Sequence, residues 1–444
     1  MPWRESLSPI RMKRVGIVTP VDSRREVLHI LARSGVVELD LPHTPGDGPD
    51  ELERTDAAAI TSGPVAGWVG WVPARELPAL ATELADLGAA AVPLARPRGV
   101  QPPTQLTPTR RPRLSRTLVD TYGTVPYADV DPSRMAGIAY VVMFGMMFGD
   151  VGHGAMLVVL GLLLRTGRIA RLAKLRRTWA FVTGAGVMSM FSGLLFGEAF
   201  GPTGLVPILW LDPLADPIPL LVAALVIGAV LLAGAYAIGT VNRVREGGWG
   251  YALYASSGVA GSALFLALGL LTWGLVGDVG PLVVAAVVLA GLSLGFIFVG
   301  FYIDAGGGGS GVAQAVIEVF DTVIRLGSNV VSFMRLAAFG LTHAALLTVV
   351  WDGTTALWAP GWRALAAVLL FVVGNTVTFA LEALVAGIQA LRLEYYELFS
   401  RIFTTEGRPF RPWTPALTLT SAPSAAEPPI PVFTTDSPDE RRFP

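Results

Sequence analysis

Cysteine is absent from the 444 residues, which excludes disulfides, thiolate metal sites and cysteine nucleophiles. Histidine is scarce: His29, His43, His153 and His343 are spread along the chain without close pairing, so no metal centre is expected. Lys13 and Lys174 are the only lysines. The other basic residues are arginines, which with the excess of Ala, Gly and Pro suggests a bacterium with GC-rich DNA. Charged residues make up only 15% of the chain, against about a quarter in an average soluble protein. The net charge of −1 gives no sign of a nucleic-acid partner, and none is expected. No G-x-x-x-x-G-K-[ST] occurs, so no nucleotide chemistry, catalytic residue or cofactor is expected of this chain.

What is present is apolar. Hydrophobic residues reach 52% and the mean hydropathy is +0.56. Polar and charged residues concentrate in 1–132, while long apolar runs dominate from Ala136 to Phe403. The expected fold is therefore a mostly α-helical polytopic membrane protein with a small N-terminal α/β cytoplasmic domain. About eight transmembrane helices are expected, the last two long and tilted. The boundaries read as an α/β domain over 1–113, a linker over 114–132, a transmembrane domain over 133–403 and a Pro-rich tail over 404–444. The polar opening "MPWRESLSPIRMKRV" predicts a cytoplasmic N-terminus, and the tail past Phe410 has a disordered composition.

The soluble part reads as two β-α-β units. "RVGIVTP", a helix through "RREVLHILARSG" and "VVELDL" form the first. "VAGWVGWVP", a helix over "ARELPALATELADLG" and "AAAVPLA" form the second. The apolar segments fall at about 134–148, 151–165, 178–199, 218–241, 251–276, 281–303, 315–350 and 364–403. A single span over 134–165 would place "RTGRIARLAKLRR" outside, against the arginine bias of cytoplasmic loops. A reversal at "FGDVGHG" (148–154) instead puts 165–177 and "NRVREGG" (242–248) inside, with both termini cytoplasmic. Each arm of that hairpin is short for about 30 Å of hydrocarbon, so the turn is expected within the membrane, shielded by protein. "DAGGGGSG" (304–311) reads as a flexible linker, and the glycines of 184–197 as close helix packing.

Two polar lines stand out. Asp321, Arg325, Ser328, Ser332 and Arg335 are spaced by 4, 3, 4 and 3, which places them on one helix face, with Thr342 and His343 two turns on. Asn375, Thr378, Glu382, Gln389 and Arg392 form the second line, interrupted by Val385. Ser328, Ser332, Asn375 and Thr378 read equally well as interhelical hydrogen bonders. Arg335 does not, because a mid-membrane arginine costs about 2.5–3.5 kcal/mol on insertion scales and has no acidic neighbour in its run. The functional reading is an ion path with a fixed cation. A stand-alone secondary transporter binding an anionic substrate at Arg335 or Arg392 is the alternative.

"SNVVSFMRLAAFGLTHAALL" and "LEALVAGIQALRLEYYELFSRIFTTEGRPFRPW" resemble the last two membrane helices of the V-type ATPase stator subunit, subunit a or I. "YGTVPYADVDPSRMAGIAYVVMFGMMFGDVGHG" is similar to that family's approach to the membrane, and the two soluble units match its cytoplasmic lobes. The resemblance implies an ion-translocating, non-catalytic subunit of a rotary V/A-type ATPase in a bacterial plasma membrane, with the proton as the expected ion. It implies that Arg335 faces rotor-ring carboxylates, that Arg392 is a second functional arginine, and that Glu382 and Gln389 line a half-channel. His343, Asp321 and Ser332 join them as candidate path residues. The implied partners are the rotor-ring proteolipids (c/K), peripheral-stalk subunits of E/G type, the catalytic sector indirectly, and membrane lipid. Two departures are visible. About two dozen residues replace the family's long arms, which bears on stalk attachment and on whether the subunit is coupled. Glu394 stands where relatives often carry histidine.

Overall fold

The computed structural model describes residues 8–42, 50–97, 100–106, 114–167, 175–176, 178–403 and 406–415. His43, most of the basic loop 165–177 and the tail beyond 415 lie outside the described residues. The chain divides into two compact units, one over 13–96 with residues from Arg411 onward, the other over 1–12 and 97–410.

The smaller unit is the expected α/β domain. β1 (Met12–Pro20) turns Val15, Ile17 and Thr19 inward on one face and exposes Val18 on the other, as in a half-buried strand. α1 (Arg24–Ser34) buries Val27, Leu28 and Leu31 along one face. β2 keeps only Glu38–Leu39 of the strand expected over "VVELDL". α2 (Glu51–Ala57) and β3 (Ile60–Ser62) lie between the two expected units, and β3 forms a hairpin with β4 (Val65–Pro73). α3 (Leu77–Ala85) and β5 (Ala90–Pro93) complete the second unit. The sheet order is β2-β4-β1-β5, with β3 pairing β4 off this path. The two βαβ halves thus share one sheet and one core, built around Trp68, Leu80, Leu84 and the apolar face of α1. The segment after Phe410 is not a free tail at its start. Trp413 donates its backbone N–H to Val37 O at 2.7 Å and its ring N–H to Glu51 Oε1 at 3.3 Å.

The larger unit is helical. Within the stretch read as linker, α4 (Leu114–Tyr122) is already helix. α5 (Ser133–Met147) and α6 (Val151–Thr166) follow, then α7 (Trp179–Phe196), α8 (Pro217–Tyr254), α9 (Val259–Val276) and α10 (Gly280–Asp304). α11 (Gly308–Ser332), α12 (Met334–Leu357) and α13 (Trp362–Leu393) come last, and α13 runs through a wider π turn over Glu394–Phe399 into α14 (Ser400–Ile402). Among the described residues, six helical spans are long and apolar enough to cross a membrane, α11 and α12 counting as one and α13 including its continuation. α5 and α6 are apolar but short, at 15 and 16 residues, or about 22–24 Å of rise.

The chain does reverse between α5 and α6. A side chain at Gly145 would meet Met188, and at Gly149 it would meet Phe196, so α5 runs parallel to α7. In α6, Gly154 lies against Gly186 and Gly161 against Thr183, so α6 runs antiparallel to α7. The glycines allow this approach: a Cβ at Gly186 would sit 2.7 Å from Gly154 O, and one at Gly193 2.5 Å from Val151 N.

Three expectations for the later helices are corrected. "NRVREGG" is helix up to Gly248, whose φ of 78° breaks α8. Asn242 makes that continuation tenable by accepting from Val130 N at 3.0 Å and donating to Ile402 O at 3.3 Å. The span read as continuous over 315–350 is interrupted at Phe333, a fully buried ring seated in the notch left by Gly228. Its N–H bonds Val330 O at 3.1 Å, three residues back, which tightens the helix for one turn. The "DAGGGGSG" linker is a tight turn, with Gly306, Gly307 and Gly308 all at φ of 76–78°, where only glycine is unstrained.

Gly186→Val is expected to force α6 and α7 apart and destabilise the protein by about 1–3 kcal/mol, whereas Gly295→Ala, with nothing within 4 Å, is expected to be near neutral. Thermal unfolding of both variants in detergent checks this. Asp129, fully buried before α5, provides a second test. Burial, and then the adjoining Glu246 carboxylate, push its pKa up to about 8. The folded state therefore holds a proton that the unfolded state has lost, so this group's contribution is full below about pH 4 and disappears as pH rises through 8. Asp129→Asn is expected to flatten the fall of Tm between pH 5 and 9; an unchanged slope would contradict it.

Candidate functional site

The reversal is built from its own sequence. Phe148 ends α5, and Asp150 caps α6 by accepting from His153 N at 2.8 Å through Oδ1. Its Oδ2 accepts from Gly201 N at 2.9 Å. Ser189 of α7 donates its hydroxyl to Phe148 O, satisfying a carbonyl that no helix can pair. The cap fixes the first turn of α6, and with it His153, which is fully buried.

Against this turn pack α12 and α13. His343 Nδ1 bonds Glu382 Oε2, joining the two helices at a buried level. His153 Nε2 lies 3.2 Å from Asn375 Oδ1. The His153 and His343 rings stand 5.6 Å apart at 69°, and Phe148 stacks on His153 at 5.6 Å and tilts over His343 at 4.9 Å. The expectation of unpaired histidines is thus overturned. The turn carries one imidazole into the bundle where α12 presents the other, a meeting that sequence separation hides. Asp150, His153 and His343 offer ligand atoms within 4.8 Å of one another, the one such group of three among the described residues. A crevice of about 160 Å³ lined by Met147, Phe339, Thr342, Leu346, Leu381 and Glu382 reaches the edge of this cluster.

The arginines lie at another level. α12 and α13 are antiparallel, with His343 opposite Glu382 and Val350 against Gly374. Arg335 is eight residues before His343, so it is level with Ala390, eight after Glu382. Gln389 and Arg392 flank that position. The separation from the histidine level is about 12 Å of helix rise. Arg335 Nη1 is buried without a hydrogen-bond partner among the described residues, and the charges acting on it are Arg392 and Glu397. Arg392 is exposed, while Gln389 Oε1 is buried without a partner.

The structure does not gather every predicted residue. Asp321 pairs with Arg325 on its own helix at 2.5 Å, both side chains exposed, about three turns from Ser332 at the end of α11. Glu394 is fully buried, and neither of its carboxylate oxygens has a partner among the described residues. The residues that sequence reasoning left without a role are Asp150, His153 and Glu198, all buried. The clustered Asp and His of "MFGDVGHG" were the available signal for the first two; Glu198, in the loop after α7, had none.

Comparison with known proteins agrees with this architecture. Residues 62–204 match the family model of the V-type ATPase 116kDa subunit family. The A-type ATP synthase subunit I of Aeropyrum pernix is 29% identical over 349 residues, covering 66% of this chain and 49% of that protein. That of Archaeoglobus fulgidus is 27% identical, covering 78% and 58%. The V-type ATP synthase subunit I 2 of Treponema pallidum is 36% identical over 141 residues, or 30% of this chain and 31% of that one. The chain spans about half the length of the archaeal relatives it matches. Every one of these matches is to a subunit I of an A- or V-type ATP synthase or to the V-type 116kDa subunit family, and these are the proteins this chain is similar to.

Proposed function

We propose that this chain is the ion-translocating membrane subunit of a rotary V/A-type ATPase, carrying protons between a stator bundle and a ring of carboxylate-bearing proteolipids. The observation that supports it most is Arg335, level with Gln389 and Arg392, with a buried guanidinium N–H that has no acceptor among the described residues. A buried donor left over in the isolated subunit suits an acceptor on another one. A ring carboxylate arriving opposite Arg335 is favoured in its charged form and releases its proton. Past the arginine, it must take up a proton before returning to lipid. Guanidinium suits this task because it stays charged where an ammonium would not.

In this reading the two sides of Arg335 are the two half-channels. Glu382, His343 and the crevice beside them form the outer one. Gln389, Arg392, Ser332 and the Asp321 end of α11 form the inner one. The eight helical segments from α5 to α13 all cross the bilayer, with the α5–α6 turn inside it and both ends of the bundle on the cytoplasmic face. Rotor-ring proteolipids, stalk subunits and the catalytic sector are the partners, and the plasma membrane of a bacterium is the location. In this reading the α/β unit over 13–96, with the residues from Arg411 that join it, is cytoplasmic, and the translocating bundle runs over 133–403.

Arg335→Gln is expected to abolish ATP-driven ion uptake in vesicles while the complex still assembles, and Arg335→Lys is expected to fail as well. Glu382→Gln and Arg392→Gln are expected to reduce uptake without abolishing it, since water can replace a channel-lining group. Normal uptake by Arg335→Gln would end the assignment. The cysteine-free chain also permits direct mapping of its orientation. Single cysteines at Arg245 and at Asp212 are expected to react with an impermeant thiol reagent from opposite faces, Arg245 from the cytoplasm. Reaction of both from one face would remove the paired-hairpin topology.

A further inference from the structure

Each imidazole of the buried cluster has one nitrogen committed and one free. The Asn375 amide donates Nδ2–H to Phe371 O at 3.0 Å, which turns its Oδ1 toward His153 Nε2. Nε2 is therefore the donor, and Nδ1 of neutral His153 carries a lone pair. Glu382 Oε2 accepts from His343 Nδ1–H, so in the neutral ring the lone pair lies on Nε2. His153 Nδ1 and His343 Nε2 are both buried with no hydrogen-bond partner among the described residues. With both rings neutral, two acceptors cannot satisfy each other, and a cation bound between them answers both.

We propose that Asp150, His153 and His343 form a binding site for a divalent transition-metal ion of the zinc class, with Glu382 and Asn375 as the outer groups that orient the two imidazoles. Zinc takes histidine nitrogen and carboxylate oxygen at about 2.0–2.2 Å in a tetrahedron. Three donors within 4.8 Å of one another need only small side-chain movements to close on such an ion. The outer groups are those that metal-bound histidines use: a carboxylate on one second nitrogen and an amide carbonyl on the other, each fixing the tautomer that frees the ligating nitrogen. The carboxylates of Asp150 and Glu382 balance a charge of two in a medium where an unbalanced ion is expensive. The fourth position is left for water. An ion here fastens the α5–α6 turn to α12 and α13. The site shares His343 and Glu382 with the proposed outer half-channel, but its ligands are atoms of this chain alone, so metal binding is measured without the ring.

The test uses the full chain, purified in detergent, stripped with a chelator and titrated with Co²⁺ and then Zn²⁺. The expected result is one Co²⁺ per chain with the intense visible bands of a low-coordinate nitrogen and oxygen site, bleached by Zn²⁺. Replacing His29 and His43 by alanine is expected to leave those bands intact. The double variant His153→Ala, His343→Ala is expected to lose them. Asn375→Ala, which keeps all three ligands, is expected to weaken binding about 10–100-fold, and it carries the test if the double variant does not fold. Absence of the bands, or binding indifferent to both the double variant and Asn375→Ala, would overturn the site, with water filling the gap. Transport by Arg335→Gln judges the ion path separately.

Discussion

The structure turns on one constraint: inside hydrocarbon, no backbone N–H or C=O can look to water for a partner. The reversal at Phe148–Asp150 breaks helical hydrogen bonding between two apolar helices of 15 and 16 residues. It survives because Ser189 donates to Phe148 O and Asp150 accepts from His153 and Gly201. The glycines of α6 and α7 let the neighbouring helix come close enough to supply those groups. Satisfying the turn also sets the site. The same carboxylate that caps α6 places His153 beside His343, and the Phe148 ring that ends α5 closes over both imidazoles.

The long helices divide the chemistry by height. The buried histidine and carboxylate level ties α12 to α13, and the arginine level lies about 12 Å along the pair. Between them the helices are held by the His343–Glu382 bond rather than by any pairing of arginine with acid. Arg392 is exposed, and Arg335 Nη1 has no hydrogen-bond partner among the described residues. Asp321 and Arg325, by contrast, already neutralise each other.

The α/β unit shows how little chain a folded lobe requires. Residues 50–62 form a short helix and a hairpin strand. The core comes from the flanking halves, through Val15, Ile17, Leu28, Leu31 and Trp68. Trp413, far along the chain, completes that core and bonds Glu51.

Local pattern was enough for the elements themselves. Strand alternation in β1 and β4, the amphipathic α1, the apolar runs of α7 to α10, and the polar lines through Arg335 and Glu382 all follow from periods of 2 and 3.6, which neighbouring residues fully express. The arginine bias of the loops and the glycines around the "FGDVGHG" motif were enough to predict a reversal. Sequence spacing could not show the break at Phe333, because it depends on the notch at Gly228 in another helix. The helical course of "NRVREGG" depends likewise on Asn242 reaching Val130 and Ile402. His153 and His343 are separated by 190 positions, their numbers differing as 343 − 153, and no local period relates them. Their meeting was decided by which helices pack together, a choice made by long-range hydrogen bonds and close glycine contacts.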